Sequence, residues 1–242
     1  MWWAGAKPID VYVGTRRVAV LAQQRPDFVQ PVVGCEQALS VLAEQLQQMG
    51  GRRRVRVWLS GGLCRPFIQE LPVGSVTSAE VEKIALATAS QRTGLEAPCS
   101  VWIEHCSSAE PRIAVAASES LLRNVQNSIV AVGLCVASIG PWWAEALRHV
   151  LTSKGQNVAG LGAQDCDSVT VLTGAGREFA NASTFSPVVD IASAKAIVAR
   201  LALSSSTEQA RLPLIRLNDS ALEPSRSLES SLAFGRFVEV TT

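Results

Sequence analysis

Serine nucleophile chemistry is the first activity to test in this sequence, because the chain contains both serines and histidines. It has only two histidines, His105 and His149, and nothing in their spacing ties either one to a serine. The turn Ser60-Gly61-Gly62 sets a serine beside glycines, but the Gly-x-Ser-x-Gly pattern of a nucleophile elbow is missing. The sequence therefore predicts no catalytic residue and no enzyme activity.

Six cysteines are spread along the chain without the spacing of a metal site. They form no Cys-x-x-Cys pair and have no histidine ladder beside them. His105 and Cys106 are neighbours, but adjacent residues on a strand point to opposite faces, which argues against a reactive pair. Four of the six lie in apolar runs, so we expect buried, reduced thiols, as in a cytoplasmic protein, and no metal site.

The basic residues raise the question of nucleic-acid binding. The charges of the chain nearly cancel, with 22 basic and 21 acidic residues, so no overall field attracts nucleic acid or a membrane surface. The run Arg52 to Arg56 could grip a nucleic acid locally, yet it has no interleaved aromatic platform. Cations near a helix C-terminus are the simpler interpretation. We predict no nucleic-acid partner.

An acidic turn and a tryptophan pair could bind a ligand or a partner. In "LGAQDCDS", Asp165 and Asp167 could hold a cation, but aspartates in turns more often hydrogen-bond their own backbone. Trp142 and Trp143 follow a Gly-Pro pair, and tryptophan is enriched at interface hot spots. We expect one of these indoles in the core and assign the pair as candidate partner-binding residues.

The elements that position these residues follow one order twice: strand, strand, strand, helix, strand. The first copy has strands at 9–13, 17–23 and 28–33, a helix at 36–49 and the strand "VRVWLS". The second copy starts near residue 157, turns at 163–167, and continues through a helix from 191 to a strand at 212–217. Such repetition predicts a duplicated α/β fold with mixed sheets.

The middle of the chain is predicted as an inserted subdomain. Thr77 or Ser78 is a plausible cap for a helix at 79–91, and two strands, a helix at 119–132 and a further strand follow. The predicted boundaries are therefore 1–76 for the first half, 77–152 for the inserted subdomain with a connecting helix, and 153–242 for the shortened second half.

The uncharged run 124–144 is long enough for a membrane span. It begins with polar residues and is broken by Gly133 and by the pair Gly140-Pro141, so it predicts a buried helix followed by a buried strand. The start "MWWAGAK" has no basic region and no apolar stretch of secretory length, so no signal peptide is predicted.

Four segments carry a family resemblance: "VYVGTRRVAVL", "VWLSGGLCRPFIQELP", "VAASESLLRNVQNSIVAVGLCVASIGPWWAEAL" and "LESSLAFGRFVEV". Together with the duplicated order of elements, they resemble the actin-like fold over most of residues 8–203. Within that fold they are similar to the PilM family of type IV pili and the L proteins of type II secretion. The resemblance implies an α/β, duplicated actin-like (RNase H-like) mixed-sheet fold with an inserted small α/β subdomain and a reduced second half.

The same resemblance implies two phosphate turns. Actin-like nucleotidases hold phosphates in hairpin turns where small residues let backbone N–H groups approach the anion, and an aspartate organises Mg²⁺. Gly14 and Thr15 match the first turn, and Gly162 and Asp165 are the candidates in the second. Tyr12 stands where the family has its first aspartate, and the second turn lacks a run of glycines. We expect degenerate turns without a resident cofactor, and ATP with Mg²⁺ as the ligand to test.

A scaffold function follows from this resemblance. It implies a non-catalytic adaptor of a bacterial type IV pilus or type II secretion inner-membrane assembly platform. The implied partners are a short N-terminal peptide of a membrane platform protein, bound in a groove between subdomains, and a hexameric assembly ATPase. The implied location is cytoplasmic and peripheral at the inner membrane, with membrane association only through these partners.

Two other functions remain open. An ATP-dependent switch of the same fold needs a working phosphate turn at Thr15. A nucleic-acid-binding protein of the related RNase H-like fold needs acidic residues clustered on the first strands for two-metal chemistry, and only Asp10 is available there.

Overall fold

The computed structural model describes residues 8–21, 28–49, 53–70, 77–103, 112–154, 159–175, 178–188, 190–204, 212–217 and 237–240. In chain order the strands and helices are β1 (Ile9–Val13), β2 (Arg17–Leu21), β3 (Phe28–Pro31), α1 (Cys35–Met49), β4 (Arg54–Leu59), β5 (Cys64–Gln69), α2 (Ser78–Thr93), β6 (Cys99–Ile103), β7 (Arg112–Ser118), α3 (Glu119–Ala131), β8 (Cys135–Pro141), α4 (Trp142–Lys154), β9 (Gly160–Gln164), β10 (Val169–Ala175), β11 (Glu178–Phe185), α5 (Ile191–Ser204), β12 (Leu214–Leu217) and β13 (Phe237–Val240).

The first half is a mixed sheet with the strand order β3-β2-β1-β4-β8. β1, β4 and β8 run parallel, and β2 and β3 are antiparallel to their neighbours. Alternate valines of β1 and β4 pack on the apolar stripes of α1 and α3, since helical spacing places those side chains on one face. This core includes Val11, Val13, Val55, Val57, Leu42, Leu46, Val125 and Ile129.

The second half repeats this arrangement with the order β11-β10-β9-β12-β13. β9 and β12 are parallel, and β10 and β11 are antiparallel, as in the first half. α5 packs Ala194 and Val198 on the valines of β10. The last strand differs, because β13 is antiparallel to β12 whereas β8 is parallel to β4. The predicted duplicated mixed-sheet fold is confirmed.

A third, antiparallel sheet with the order β5-β7-β6 forms the small subdomain together with α2. Its first strand begins at Cys64, before the predicted boundary at residue 77. β8 lies inside the predicted range 77–152 but pairs with β4 of the first sheet. The sheet pairing therefore departs from the predicted boundaries, because apolar alternation shows that a segment is a strand but not which sheet it joins.

The start of α2 has the predicted cap. Thr77 Oγ1 accepts a hydrogen bond from the Glu80 backbone N–H at 3.3 Å, and Glu80 Oε2 accepts one from the Thr77 N–H at 2.8 Å. This is a reciprocal capping box. The helix ends at Gly94, whose φ of 67° is the left-handed conformation that glycine adopts without strain.

The uncharged run 124–144 contains the end of α3 and the strand β8. α3 buries Val125 and Ile129, as predicted. The prediction of a buried strand is wrong, because β8 lies at one end of the described first sheet and exposes Cys135 and Ser138. Among the helices that the structure describes, none combines the length and hydropathy needed to cross a membrane.

A shared apolar cluster joins the two halves. It contains Tyr12 and Ala19 from the first sheet, Trp142, Trp143, Ala146 and Val150 from α4, and Leu161, Ala163, Leu172, Ile215 and Leu217 from the second sheet. α4 therefore connects the halves in sequence and also fills the space between their sheets. This packing brings the turn after β1 close to the turn after β9.

Candidate functional site

The turn between β9 and β10, residues 165–168, is organised around the carboxylate of Asp165. Asp165 Oδ1 accepts hydrogen bonds from the backbone N–H groups of Asp167, at 3.1 Å, and Ser168, at 2.9 Å. The Ser168 hydroxyl donates to the same oxygen at 2.8 Å, and the Asp165 N–H donates to the Ser168 carbonyl at 3.0 Å. The prediction that aspartates of this turn hydrogen-bond their own backbone is confirmed for Asp165, whereas the Asp167 side chain bonds elsewhere.

The same turn also reaches two loops of the first half. Asp167 Oδ2 accepts hydrogen bonds from the Thr15 backbone N–H at 2.5 Å and from the Thr15 hydroxyl at 2.8 Å. Asp165 Oδ2 accepts one from the Gly61 N–H at 2.7 Å. The donors of the first hairpin turn that would face an anion thus face a carboxylate of the same chain.

Two glycines make this close approach possible. A Cβ atom at Gly14 would lie 2.8 Å from Asp167 Oδ2 and 3.0 Å from the Tyr12 hydroxyl. A Cβ at Gly61 would lie 2.5 Å from Thr170 Oγ1 and 2.8 Å from the Ser168 hydroxyl. Each position has a contact below 3.0 Å, so a Cβ at either one would force the neighbouring side chains or the loop itself to shift.

Tyr12 fills the place that the family resemblance gives to an aspartate. Its side chain is fully buried in the cluster that joins the halves. Burial, with the neighbouring Asp165 as a second cause, raises the pKa of the Tyr12 hydroxyl well above its ordinary value. Tyr12 is therefore a neutral, packing phenol rather than a metal-organising carboxylate.

The electrostatics of the site centre on two buried acidic groups. Asp165 is 5% exposed and Asp167 is 0% exposed, and no ion pair among the described residues includes either one. Burial raises the pKa of Asp165 to about 8, and the nearby Asp167 carboxylate acts in the same direction. The hydrogen bonds from Gly61, Asp167 and Ser168 oppose this shift.

Three of the four predicted turn residues come together, and the fourth does not. Gly14, Thr15 and Asp165 lie at the contact between the two turns. Gly162 lies inside β9, where a Cβ would be 2.6 Å from Val198 Cγ2 of α5. The prediction that Gly162 belongs to a phosphate turn is therefore wrong, because strand β9 continues to Gln164 and the turn begins one residue later.

Asp167 and Gly61 lie at this contact, although neither was among the residues predicted for the two phosphate turns. A sequence pattern singles out each of them: Asp167 stands two residues after Asp165, and Gly61 lies in a Gly-Gly pair after a predicted strand. Neither pattern says that the two segments meet. Asp10, the acidic residue of the first strand, accepts a hydrogen bond from Trp58 Nε1 at 3.1 Å and lies 3.6 Å from Arg56 Nη1, so it is engaged within the first sheet.

The tryptophan pair has a structural place. Trp142 is 0% exposed and Trp143 is 2% exposed, and the Trp143 Nε1–H donates to the Cys64 carbonyl at 3.1 Å. The interpretation of the pair as a partner-binding surface is wrong. α4 lies between the two halves, so adjacent side chains at its start are both covered.

The thiols and metal-ligating residues add no further site within the described part of the chain. Cys64 and Cys99 are buried, Cys35 and Cys166 are half-buried, and Cys135 is exposed, so the prediction of buried thiols holds for part of the set. His105 and Cys106 lie outside the described residues. No group of three or more histidine, cysteine, aspartate or glutamate side chains among the described residues could hold a metal ion.

A groove of about 350 Å³ lies where the small sheet meets the first sheet. It is lined by Ser100 and Trp102 of β6, Glu119, Leu122, Arg123 and Gln126 of α3, and Ile139 of β8. β6 and β8 are each the last described strand of their sheet. The Trp102 indole is 39% exposed, and Glu119 pairs with Arg123 at 3.0 Å. The groove is therefore lined by apolar side chains and a charged pair, and it lies between edge strands of two described sheets.

No protein-family model matches the sequence, and no curated protein matches it. Among solved structures, the chain is similar to the cytoplasmic domain of EpsL, an inner membrane component of the type II secretion system of Vibrio cholerae, with 17% identity, a TM-score of 0.54, and coverage of 86% of this chain and 81% of that one. It is similar to the PilM–PilN type IV pilus biogenesis complex, with 12% identity, a TM-score of 0.54, and coverage of 84% and 67%.

A third similar structure is a Bacteroides thetaiotaomicron protein of unknown function with an actin-like ATPase fold. It shares 10% identity with this chain at a TM-score of 0.50, with coverage of 86% of this chain and 81% of that one. Each of the three likenesses covers 84–86% of this chain. Together these observations show that the chain has the actin-like fold.

Proposed function

We propose that this protein is a non-catalytic, actin-like adaptor of a bacterial type IV pilus or type II secretion inner-membrane platform. The solved structures that it resembles include proteins of both systems. The adaptor works at the cytoplasmic face of the inner membrane and reaches the membrane through its partners. A hexameric assembly ATPase is the second partner in this proposal.

One observation carries the non-catalytic part of the proposal. The N–H and the hydroxyl of Thr15 both donate to Asp167 of the other half. A phosphate group at this turn would have to displace a buried carboxylate that the surrounding turn holds in place. An ATP-dependent switch, the alternative function, needs this displacement to occur.

The groove between the small sheet and the first sheet supports the partner part of the proposal. An extended peptide can pair with the edge strand of a sheet through backbone hydrogen bonds, and side-chain pockets then set its specificity. β6 and β8 are edge strands of the described sheets, and Trp102, Leu122 and Ile139 provide apolar side chains in the groove beside them. We propose that the N-terminal peptide of the platform protein occupies this groove.

Affinity purification of the tagged chain from its native cell tests the proposal. We expect an inner-membrane component of a pilus or secretion platform to copurify with the protein. Trp102→Ala should reduce its recovery at least fivefold, whereas Leu203→Ala, which changes an 88% exposed side chain on α5, should not. Recovery of the platform component that is equal for both variants would contradict the groove, and its absence from the unaltered protein would contradict the function.

A further inference from the structure

The turn at residues 165–168 connects to two separate loops of the first half through two different carboxylates. Asp167 accepts from Thr15 in the loop after β1, and Asp165 accepts from Gly61 in the loop after β4. We propose that this turn is a latch: it holds the two halves of the protein closed with side chains of the chain itself, and its two contacts open and close together.

Rigidity within the turn is the first reason to expect joint opening. Asp165 Oδ1 holds the N–H groups of Asp167 and Ser168, so the backbone that carries the two carboxylates moves as one segment. The Asp167 carbonyl in turn accepts from the Val188 N–H at 2.9 Å and from the Ser186 hydroxyl at 3.3 Å. The acceptors of the latch are therefore one preformed unit anchored in the second half.

The donors in the first half are also tied to each other. The Ser60 N–H donates to the Val13 carbonyl at 2.9 Å, which joins the loop of Gly61 to the end of β1. The Gly14 N–H closes its own turn on the Arg17 carbonyl at 2.8 Å. Withdrawal of the acceptor turn from one loop thus separates it from the other loop as well.

In the closed latch, the cost of burying two carboxyl groups opposes the hydrogen bonds that they accept, and this favours a contact that can open. Two neighbouring buried carboxyl groups lose hydration, and no ion pair among the described residues compensates either one. The hydrogen bonds from Thr15, Gly61 and the turn itself offset that cost. Burial also raises the pKa of Asp165, which favours its protonated form and reduces the repulsion between the two groups.

Amide hydrogen exchange at Thr15 and Gly61, measured by NMR on the full chain, tests the latch. In the unaltered protein both amides should exchange slowly. Asp167→Ala removes only the acceptor of Thr15, yet we expect at least tenfold faster exchange at the Gly61 amide as well. Gly61→Ala crowds the contact between the loop after β4 and the second half and leaves Thr15 and Asp167 unaltered, yet we expect at least tenfold faster exchange at the Thr15 amide.

Controls separate joint opening from general loss of stability. The amide of Val11, inside the first sheet, reports global unfolding, so in both variants its exchange should stay slower than that of the two latch amides and should rise by no more than the measured loss in the free energy of unfolding predicts. Asp190→Asn removes an exposed carboxylate that accepts from the Ser193 N–H at 2.7 Å, and it should leave the two latch amides within twofold of their original rates. If Asp167→Ala does not fold, Thr15→Val, which removes the hydroxyl donor to Asp167 with little change of shape, takes its place, and the Gly61 amide is again the readout. Faster exchange confined to the amide beside each substitution would overturn the proposal.

Discussion

Replacement of Gly61 by alanine tests the contact between the two halves with a single methyl group. The added Cβ would lie 2.5 Å from Thr170 Oγ1 and 2.8 Å from Ser168 Oγ. Both hydroxyls are held by hydrogen bonds within the second half, so we expect the loop to move away rather than the hydroxyls to rotate. That movement breaks the 2.7 Å hydrogen bond from the Gly61 N–H to Asp165 Oδ2 and leaves a buried carboxyl group short of a donor.

The expected cost follows from these two effects. Overpacking of a closely packed site costs about 1–3 kcal/mol. Loss of a hydrogen bond to a buried acidic group costs about 1.5–3 kcal/mol. Because one movement produces both effects, they do not add fully, and we expect Gly61→Ala to lower the free energy of unfolding by about 2–4 kcal/mol.

Urea unfolding, followed by tryptophan fluorescence, measures this change. Gly140→Ala in β8 is the matched control, since no atom lies within 4 Å of the Cβ that it adds. We expect the control to stay within about 0.5 kcal/mol of the unaltered protein. An equal effect of the two substitutions would refute the contact between Gly61 and the second half.

Three further predictions concern Asp165, the start of α2 and the packing of β9. The pKa of Asp165 is higher in the folded chain than in the unfolded chain, so its contribution to stability falls as pH rises from about 4 to about 8. The slope is at most ~1.4 kcal/mol per pH unit. In urea unfolding, the free energy of unfolding should therefore decrease less between pH 5 and pH 8 for Asp165→Asn than for the unaltered protein. Thr77→Ala should cost about 1 kcal/mol in urea unfolding because it removes a helix cap, whereas Ser118→Ala should cost less because Ser118 makes no capping hydrogen bond. Gly162→Ala should lower the free energy of unfolding by about 1–3 kcal/mol through overlap with Val198, and Val198→Ala in the same chain should reduce that loss.

Most of the fold could be predicted from local patterns in the sequence. Helical spacing predicted α1, α2, α3 and α5 closely, since each has an apolar face that the sheets cover. The duplicated order of strands and helices was also readable, because each copy repeats the same periodicities in the same sequence. The cap at Thr77 was predictable because it depends on residues only three positions apart.

The site was less accessible to the same reasoning because its contacts are long-range. Thr15 and Asp167 are 152 positions apart, and no local pattern reports that they meet. The burial of Trp142 and Trp143 depends on the packing of a second sheet against α4, which periodicity in the helix does not reveal. Strand pairing has the same character, and for that reason the small sheet begins earlier in the chain than predicted.

Calorimetric titration of the protein with ATP and Mg²⁺ tests the central claim most directly. If Asp167 occupies the donors of Thr15 and the protein is a non-catalytic adaptor, folded protein should give no saturable heat, and Thr15→Ala should behave identically. Saturable binding at micromolar concentration that disappears in Thr15→Ala would contradict the account, because it would mean that the first hairpin turn still holds a phosphate group.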